Sequence, residues 1–261
     1  MNFSIHQASH IGNRKYNQDR VAYAYSEDAL LLILADGMGG HLHGELAAGL
    51  ATETFVESFA QHAYIADPLT FLSTTMHQAH QRIMGLPQKM DHSFPGTTCV
   101  ACLIQDGMLY WGYAGDSRLY LLRNGAVLVR TLDHSMVQQW LEWGVIDEEE
   151  ARNHPRRNQI TNCLGGAEDL FEIELGKPVE LQPGDVVLLC SDGLYSPFVD
   201  KELAAAFATS PVVAALDKLI VSALELEAGH ADNATGLALR WGNTEAAHDT
   251  SEIVSHVLEI Q

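Results

Sequence analysis

Apolar and polar positions change period several times along the chain, and each change marks an element. Met1 to Ile11 alternates loosely and reads as a strand. After the polar stretch Gly12 to Asp19, Val21 to Tyr25 and Ala29 to Ala35 read as two more strands joined by a short polar turn. The period then becomes helical. Ala47, Leu50, Ala51, Phe55 and Phe59 share one face of a helix over roughly Gly44 to Gln61. Asp67 and Pro68 supply the N-cap and first residue of a second helix, with a stripe of Leu69, Leu72, Met76, Ala79 and Ile83 and a stop at Gly85. Both stripes are core faces.

Strand-like sequence returns at Thr97 to Gln105. Asp106-Gly107 is a two-residue hairpin signal with Met108 to Ala114 as the returning strand. Leu119 to Arg123, Asn124-Gly125 and Ala126 to Arg130 repeat the unit. Two Asx-Gly hairpins in succession predict an antiparallel meander and exclude a doubly wound parallel sheet. An irregular insertion follows. Ser135 with Gln138, and Asp147 with Glu150, have capping-box spacing, and Val137, Trp140 and Leu141 make a short stripe ended by Gly144. Val186 to Cys190 resumes the strands, two helices span roughly Lys201 to Ala208 and Pro211 to Glu227, and Ala234 to Trp241 is the last strand. Helix pairs between groups of antiparallel strands predict an α+β fold in which two sheets pack together with helices outside. Residues 1–242 read as one domain without linker or repeat. Residues 243–261 read as an acidic tail, either a short docked helix or partly disordered.

Composition narrows the function. The chain is 47% hydrophobic, enough for one sizeable core, and carries a net charge of −19. That sign argues against a nucleic-acid or anionic-membrane surface and is compatible with bound divalent cations. Cys99, Cys102, Cys163 and Cys190 mostly sit in apolar runs and read as reduced core residues of a cytoplasmic protein. Cys99 and Cys102 lie three apart on one strand, so their side chains should face opposite ways. No basic region leads into an apolar run at the start, and no apolar run approaches the ~20 residues of a membrane helix.

Candidate chemistry appears where apolar runs break on aspartate. Leu30 to Ala35 drives into Asp36-Gly37-Met38-Gly39-Gly40. Val186 to Ser191 runs into Asp192-Gly193, Tyr113-Ala114-Gly115 into Asp116, and Asp232-Asn233 stands just before the last strand. Asp is depleted in strands, so four such positions suggest one shared cluster, and like charges assemble stably only around cations. Carboxylates without clustered His or Cys suit Mg²⁺ or Mn²⁺. A pair of such ions suits in-line hydrolysis of a phosphate ester. Arg14 is placed to grip a phosphate through its planar fork. A cysteine-based phosphatase is excluded, because no cysteine has an arginine six residues on.

These motifs resemble the bacterial branch of the metal-dependent PP2C-type (PPM) serine/threonine protein phosphatases, over about Arg14 to Arg240. The matching runs are Arg14 with Asn17-Gln18-Asp19, Asp36-Gly37-Met38-Gly39-Gly40-His41, Gly96-Thr97-Thr98 and Gly115-Asp116-Ser117-Arg118. Asp133-His134-Ser135, Ile160-Thr161 with Leu164-Gly165, Ser191-Asp192-Gly193-Leu194 and Asp232-Asn233-Ala234-Thr235 complete them in the family's order. The resemblance implies a four-layer αββα sandwich with a flap over about residues 135–166. It implies two Mn²⁺ or Mg²⁺ ions bridged by Asp36, with the Gly37 carbonyl completing one site and Asp192 and Asp232 the other. Asp116 and Asp192 match the positions of a third, weaker ion. Asp19 and Gln18 would hold metal waters, Asn233 would brace its turn, and Arg14 would bind the substrate phosphate. Gln18 stands where many relatives have Glu, and Met38 where the animal enzymes have a histidine, which makes His41 the candidate general acid. Arg152, Arg156 and Arg157 form a basic spot in the flap.

The function so implied is hydrolysis of phosphoserine and phosphothreonine in proteins by a metal-bridging water or hydroxide, opposite a eukaryotic-like bacterial Ser/Thr kinase. Two alternatives stand beside it. One is a pseudophosphatase or phosphoprotein-binding module, which loss of a metal aspartate would favour. The other is a phosphatase preferring phosphotyrosine or a small phosphoester.

Overall fold

The computed structural model describes residues 1–38, 42–62, 64–86, 94–166, 171–242 and 254–257. The strands are β1 (Phe3–His10), β2 (Asp19–Tyr25), β3 (Ala29–Met38), β4 (Gly96–Thr97), β5 (Cys99–Gln105), β6 (Met108–Ala114), β7 (Arg118–Arg123) and β8 (Ala126–Arg130). They continue as β9 (Leu164–Gly165), β10 (Glu174–Leu175), β11 (Val179–Glu180), β12 (Val186–Cys190), β13 (Ala234–Trp241) and β14 (Val254–Val257). The helices are α1 (Leu42–Ala60), α2 (Pro68–Met84), α3 (Met136–Glu142), α4 (Glu148–Asn153), α5 (Asp192–Tyr195), α6 (Asp200–Phe207) and α7 (Val212–Leu226).

Two antiparallel sheets face each other. One runs β1-β13-β12-β7-β8, and the other is built on β10-β6-β5-β3-β2-β14. Strand β3 explains the layering. A strand presents alternate residues to opposite faces. Leu30, Leu32 and Leu34 enter the core between the sheets with Leu121, Leu189 and Leu237. Leu31, Ile33 and Ala35 instead pack on Phe55, Leu72 and Met76 of α1 and α2. A strand covered on both faces has to be apolar throughout, which is why Leu30 to Ala35 lacks alternation. Tyr120, Leu188 and Cys190 turn outward onto Leu203, Phe207 and Leu216 of α6 and α7 and complete the fourth layer. The expected αββα sandwich is the observed fold. Cys99 faces the helices and Cys102 the inter-sheet core, and all four cysteines are free.

The hairpin signals act as expected. Asp106 and Gly107 have φ of 53° and 73°, Asn124 and Gly125 of 53° and 74°. Paired positive φ values match the twist of the flanking strands, and Asx-Gly adopts them with little strain. Asp67 caps α2 by accepting from the Thr70 N–H at 3.1 Å.

Several local expectations change. The single strand over Thr97 to Gln105 divides at Thr98, because β4 pairs with the flap strand β9 while β5 continues the main sheet. Thr98 is freed for the site. At Ser135 only half of the capping box forms: its hydroxyl accepts from the Gln138 N–H, but the Gln138 amide reaches Glu142 instead. The Asp147 box is complete. In the tail, Val254–Val257 forms a strand on the open edge of β2 rather than a helix. Two β-branched residues beside an unpaired edge favour that outcome. Among the described residues, no helix is long and apolar enough to cross a membrane.

Candidate active site

The antiparallel registers place five aspartates at one end of the sandwich. Asp36 lies near the end of β3, directly across from Asp19 at the start of β2. Asp116 follows β6 through Gly115, whose φ of +111° turns the chain. Asp192 follows β12 and opens α5, and Asp232 leads into β13. The site therefore draws on both sheets. Strand ends supply it because the ladder fixes their backbone while their side chains escape the apolar layers.

Small polar groups hold each carboxylate's backbone. The Asp36 N–H donates to Thr98 Oγ1 at 3.0 Å, and its carbonyl accepts from the Thr98 N–H and the Thr97 hydroxyl at 2.9 Å each. Thr98 Oγ1 lies 2.6 Å from the Ser117 hydroxyl, joining the Asp36 turn to the Asp116 turn. Asn233 ties the β1–β2 connection to the start of β13: its Nδ2 donates to the Ile11 and Tyr16 carbonyls, and its Oδ1 accepts from the Gln18 N–H. Below Asp116, Tyr195 donates to its carbonyl at 3.0 Å. The Arg118 guanidinium lies 3.7 Å from the Tyr195 ring centroid and grips Asp133 through two 2.7 Å bonds. That pair fixes the segment leaving β8 just before the flap begins.

The electrostatics are those of crowded acids. Burial, then the Asp192 and Asp232 charges, raise Asp19 to about 7 against hydrogen bonds from Thr235 and Ser191 that lower it. Burial and Asp232 raise Asp192 to about 6. Asp36 and Asp116 lie well above the usual carboxylate range, first from burial and then from neighbouring aspartates. Each group is raised above its unfolded value near 4, so the folded state holds more protons than the unfolded one between about pH 4 and 7. The stability this contributes is present below pH 4 and lost as pH rises through 6 and 7. Metal-free protein is accordingly expected to melt at a lower temperature at pH 7.5 than at pH 5. A flat or rising melting temperature across that window would contradict the crowding.

The donor set fits a hard divalent ion. It consists of oxygens alone, the mutual repulsion calls for a cation, and Asp19 Oδ1 is buried without any hydrogen-bond partner. Among the described residues, no three His, Cys, Asp or Glu side chains stand at the spacing of ligands around one ion. Arg14 Nη2 reaches Asp232 Oδ2 at 2.5 Å, so a guanidinium already stands on one of the carboxylates. Gly37 sits under α1: a Cβ on it would lie 2.2 Å from the Gly44 carbonyl oxygen. Gln18 contributes its backbone to the brace, and its side-chain amide lies beside Gly44. His41 lies outside the described residues.

Ser191, Thr98 and Tyr195 have roles here that the sequence motifs do not assign. Ser191 donates to Asp19 Oδ2 at 2.8 Å and accepts from the Thr235 N–H, so it holds the one Asp19 oxygen that has a partner. A serine directly beside Asp116 and Asp192, Ser117 and Ser191, was the available signal.

The family model described as protein phosphatase 2C matches residues 6–226. The serine/threonine phosphatase stp of Listeria monocytogenes is 30% identical over 243 residues, covering 91% of this chain and 95% of the relative. The crystal structure of the Mycobacterium tuberculosis serine/threonine phosphatase PstP/Ppp superposes with a TM-score of 0.80 at 34% identity, over 91% of this chain and 98% of that one. The catalytic domain of PstP in complex with two manganese ions superposes with a TM-score of 0.78 at 32% identity, over 91% and 97%.

Proposed function

The chain belongs to the protein phosphatase 2C family, and from that premise we propose a serine/threonine protein phosphatase that hydrolyses phosphoserine and phosphothreonine at the carboxylate end of the sandwich. The observation that carries this reading is the convergence of five aspartates from both sheets, four of them pushed upward by burial and by one another. Asp36, Asp192, Asp232 and the Gly37 carbonyl would hold two Mn²⁺ or Mg²⁺ ions, as the manganese-bound PstP domain holds two. Asp116 with Asp192 would take a third. When bound, such ions supply positive charge that lowers the pKa of a water and stabilises charge on the phosphoryl oxygens.

The chain's own residues then divide the work. Arg14, 57% exposed at the side chain and anchored on Asp232, offers its remaining guanidinium N–H groups to the phosphate oxygens. Asp19 presents the free acceptor Oδ1 to water, with Ser191 fixing the other oxygen. Thr97, Thr98 and Asn233 keep the two sheet ends in register, so the site needs little reorganisation at the moment of reaction. Phosphorylated proteins are the substrates, and a Ser/Thr kinase supplies them.

The test is hydrolysis of p-nitrophenyl phosphate and of a phosphothreonine peptide, first in EDTA and then with added Mn²⁺ or Mg²⁺. Turnover is expected only with metal. Folded protein that turns over neither substrate with either ion would overturn the reading and leave a phosphoprotein-binding module. Metal should also raise the melting temperature more at pH 7.5 than at pH 5, because ligation has to displace protons from the raised carboxyls.

A further inference from the structure

A cleft of about 360 Å³ leads away from Asp116 and Asp192, between the flap on one side and the α5–α6 segment on the other. Val137 and Leu141 of α3 and Phe198 line its walls. Five cations reach it: Arg118, Arg130, Arg152, Arg157 and Lys201. Two are committed within the fold. Arg118 is held by Asp133, and Arg130 pairs with Asp200 at 3.1 Å. Arg152, Arg157 and Lys201 are exposed and have no acidic partner among the described residues; on the lining they stand with Glu148 and, at the inner end, with Asp116 and Asp192, the carboxylates assigned above to the proposed ions. In a chain with 34 Asp and Glu against 15 Lys and Arg, a lining that sets five cations beside five carboxylates is locally enriched in positive charge. Arg14 does not line this cleft. Its cations therefore meet a different part of the ligand from the phosphate that Arg14 would grip.

We propose that this cleft is a subsite for a second anionic side chain, a carboxylate or another phosphate, carried by the phosphopeptide close to the residue being dephosphorylated. The proposal rests on the phosphatase reading for the placement of the first phosphate. Apolar walls with a few convergent charges are the make-up of a binding pocket, and the cleft's size lies in the usual range. The three cations sit at its open side and add attraction without a large desolvation cost. Of the basic spot noted in the flap sequence, Arg152 and Arg157 belong to the cleft and Arg156 does not.

The test uses the full chain and one phosphothreonine peptide in three forms, with alanine, glutamate or phosphoserine placed in turn at the three positions on either side. The parent is expected to favour an acidic form over the alanine form by about tenfold in kcat/KM, with the preference fading in high salt. The triple variant Arg152→Gln, Arg157→Gln, Lys201→Gln should bring that ratio to about one. Arg156→Gln, also an exposed flap arginine, should keep it. Preference for phosphoserine alone, or for both acids, identifies the anion. The same peptides with a non-hydrolysable phosphonate, titrated by fluorescence anisotropy, read the ratio in Kd without turnover. A parent that hydrolyses none of the peptides but still binds the acidic forms more tightly would sink the hydrolase reading and keep the subsite. A parent indifferent to the flanking charge, or a triple variant that keeps the preference, would overturn the proposal.

Discussion

Asp192→Ala is expected to lower kcat/KM by at least ~10³, about 4 kcal/mol of transition-state stabilisation. Asp192 is placed between the other carboxylates: it is among the charges that raise Asp19, Asp36 and Asp116, and is itself raised by Asp232. A group coupled to so many acids is shared by any cations among them, so its loss should strip one ion site and weaken another. Stability should move the other way. Ionised Asp192 costs the metal-free fold energy near pH 7.5, since its folded pKa of about 6 exceeds its unfolded value. The metal-free variant should therefore melt no lower than the parent, while its gain on adding Mn²⁺ shrinks. Inactivation together with a lower metal-free melting temperature would point to misfolding. Activity within tenfold of the parent would remove Asp192 from the hydrolytic centre.

Gly193→Ala should inactivate the protein without removing any functional group. A Cβ at Gly193 would lie 2.1 Å from the Asn233 carbonyl oxygen and 3.2 Å from Asp232 Cβ. The first contact is with backbone, so the loop before β13 has to move. That loop carries Asp232, and through Asn233 it also holds the Ile11, Tyr16 and Gln18 backbone around Arg14. The shift should cost about 1–3 kcal/mol of stability, as overpacking does. It should lower kcat/KM by about 10² or more, because small displacements of positioned groups are amplified in rate. The measurement is a melting curve beside peptide kinetics. Parent-like values in both would mean that the close approach of α5 to the Asp232 loop is not needed.

The fold was largely legible, and particular residues show why. Asp106-Gly107 and Asn124-Gly125 signal hairpins through local backbone preference alone, which no distant contact has to support. Asp67 and Gly85 bound α2 in the same local way. What escaped was short or conditional. The single turn α5 has no room for a period, and β10 and β11, two residues each, exist only as additions to the exposed edge of β6. Thr98 leaves its strand because β4 is recruited by β9, far along the chain at Leu164–Gly165.

The aspartates themselves were visible as charges where apolar runs stop. Four of them already suggested one shared cluster; how they meet was not visible, because Asp19 meets Asp36 only through the β2–β3 register, and Asp192 and Asp232 arrive from the other sheet. By itself the sequence determined the longer elements, the hairpin turns, the apolar faces and the kinds of chemistry on offer, since each follows from a residue and its near neighbours. The tertiary structure alone decided how the carboxylates face one another and how far burial raises them, and which cations are left uncommitted beside the site. Those properties depend on distance and desolvation between groups far apart in the chain, and neither exists until the sheets have closed.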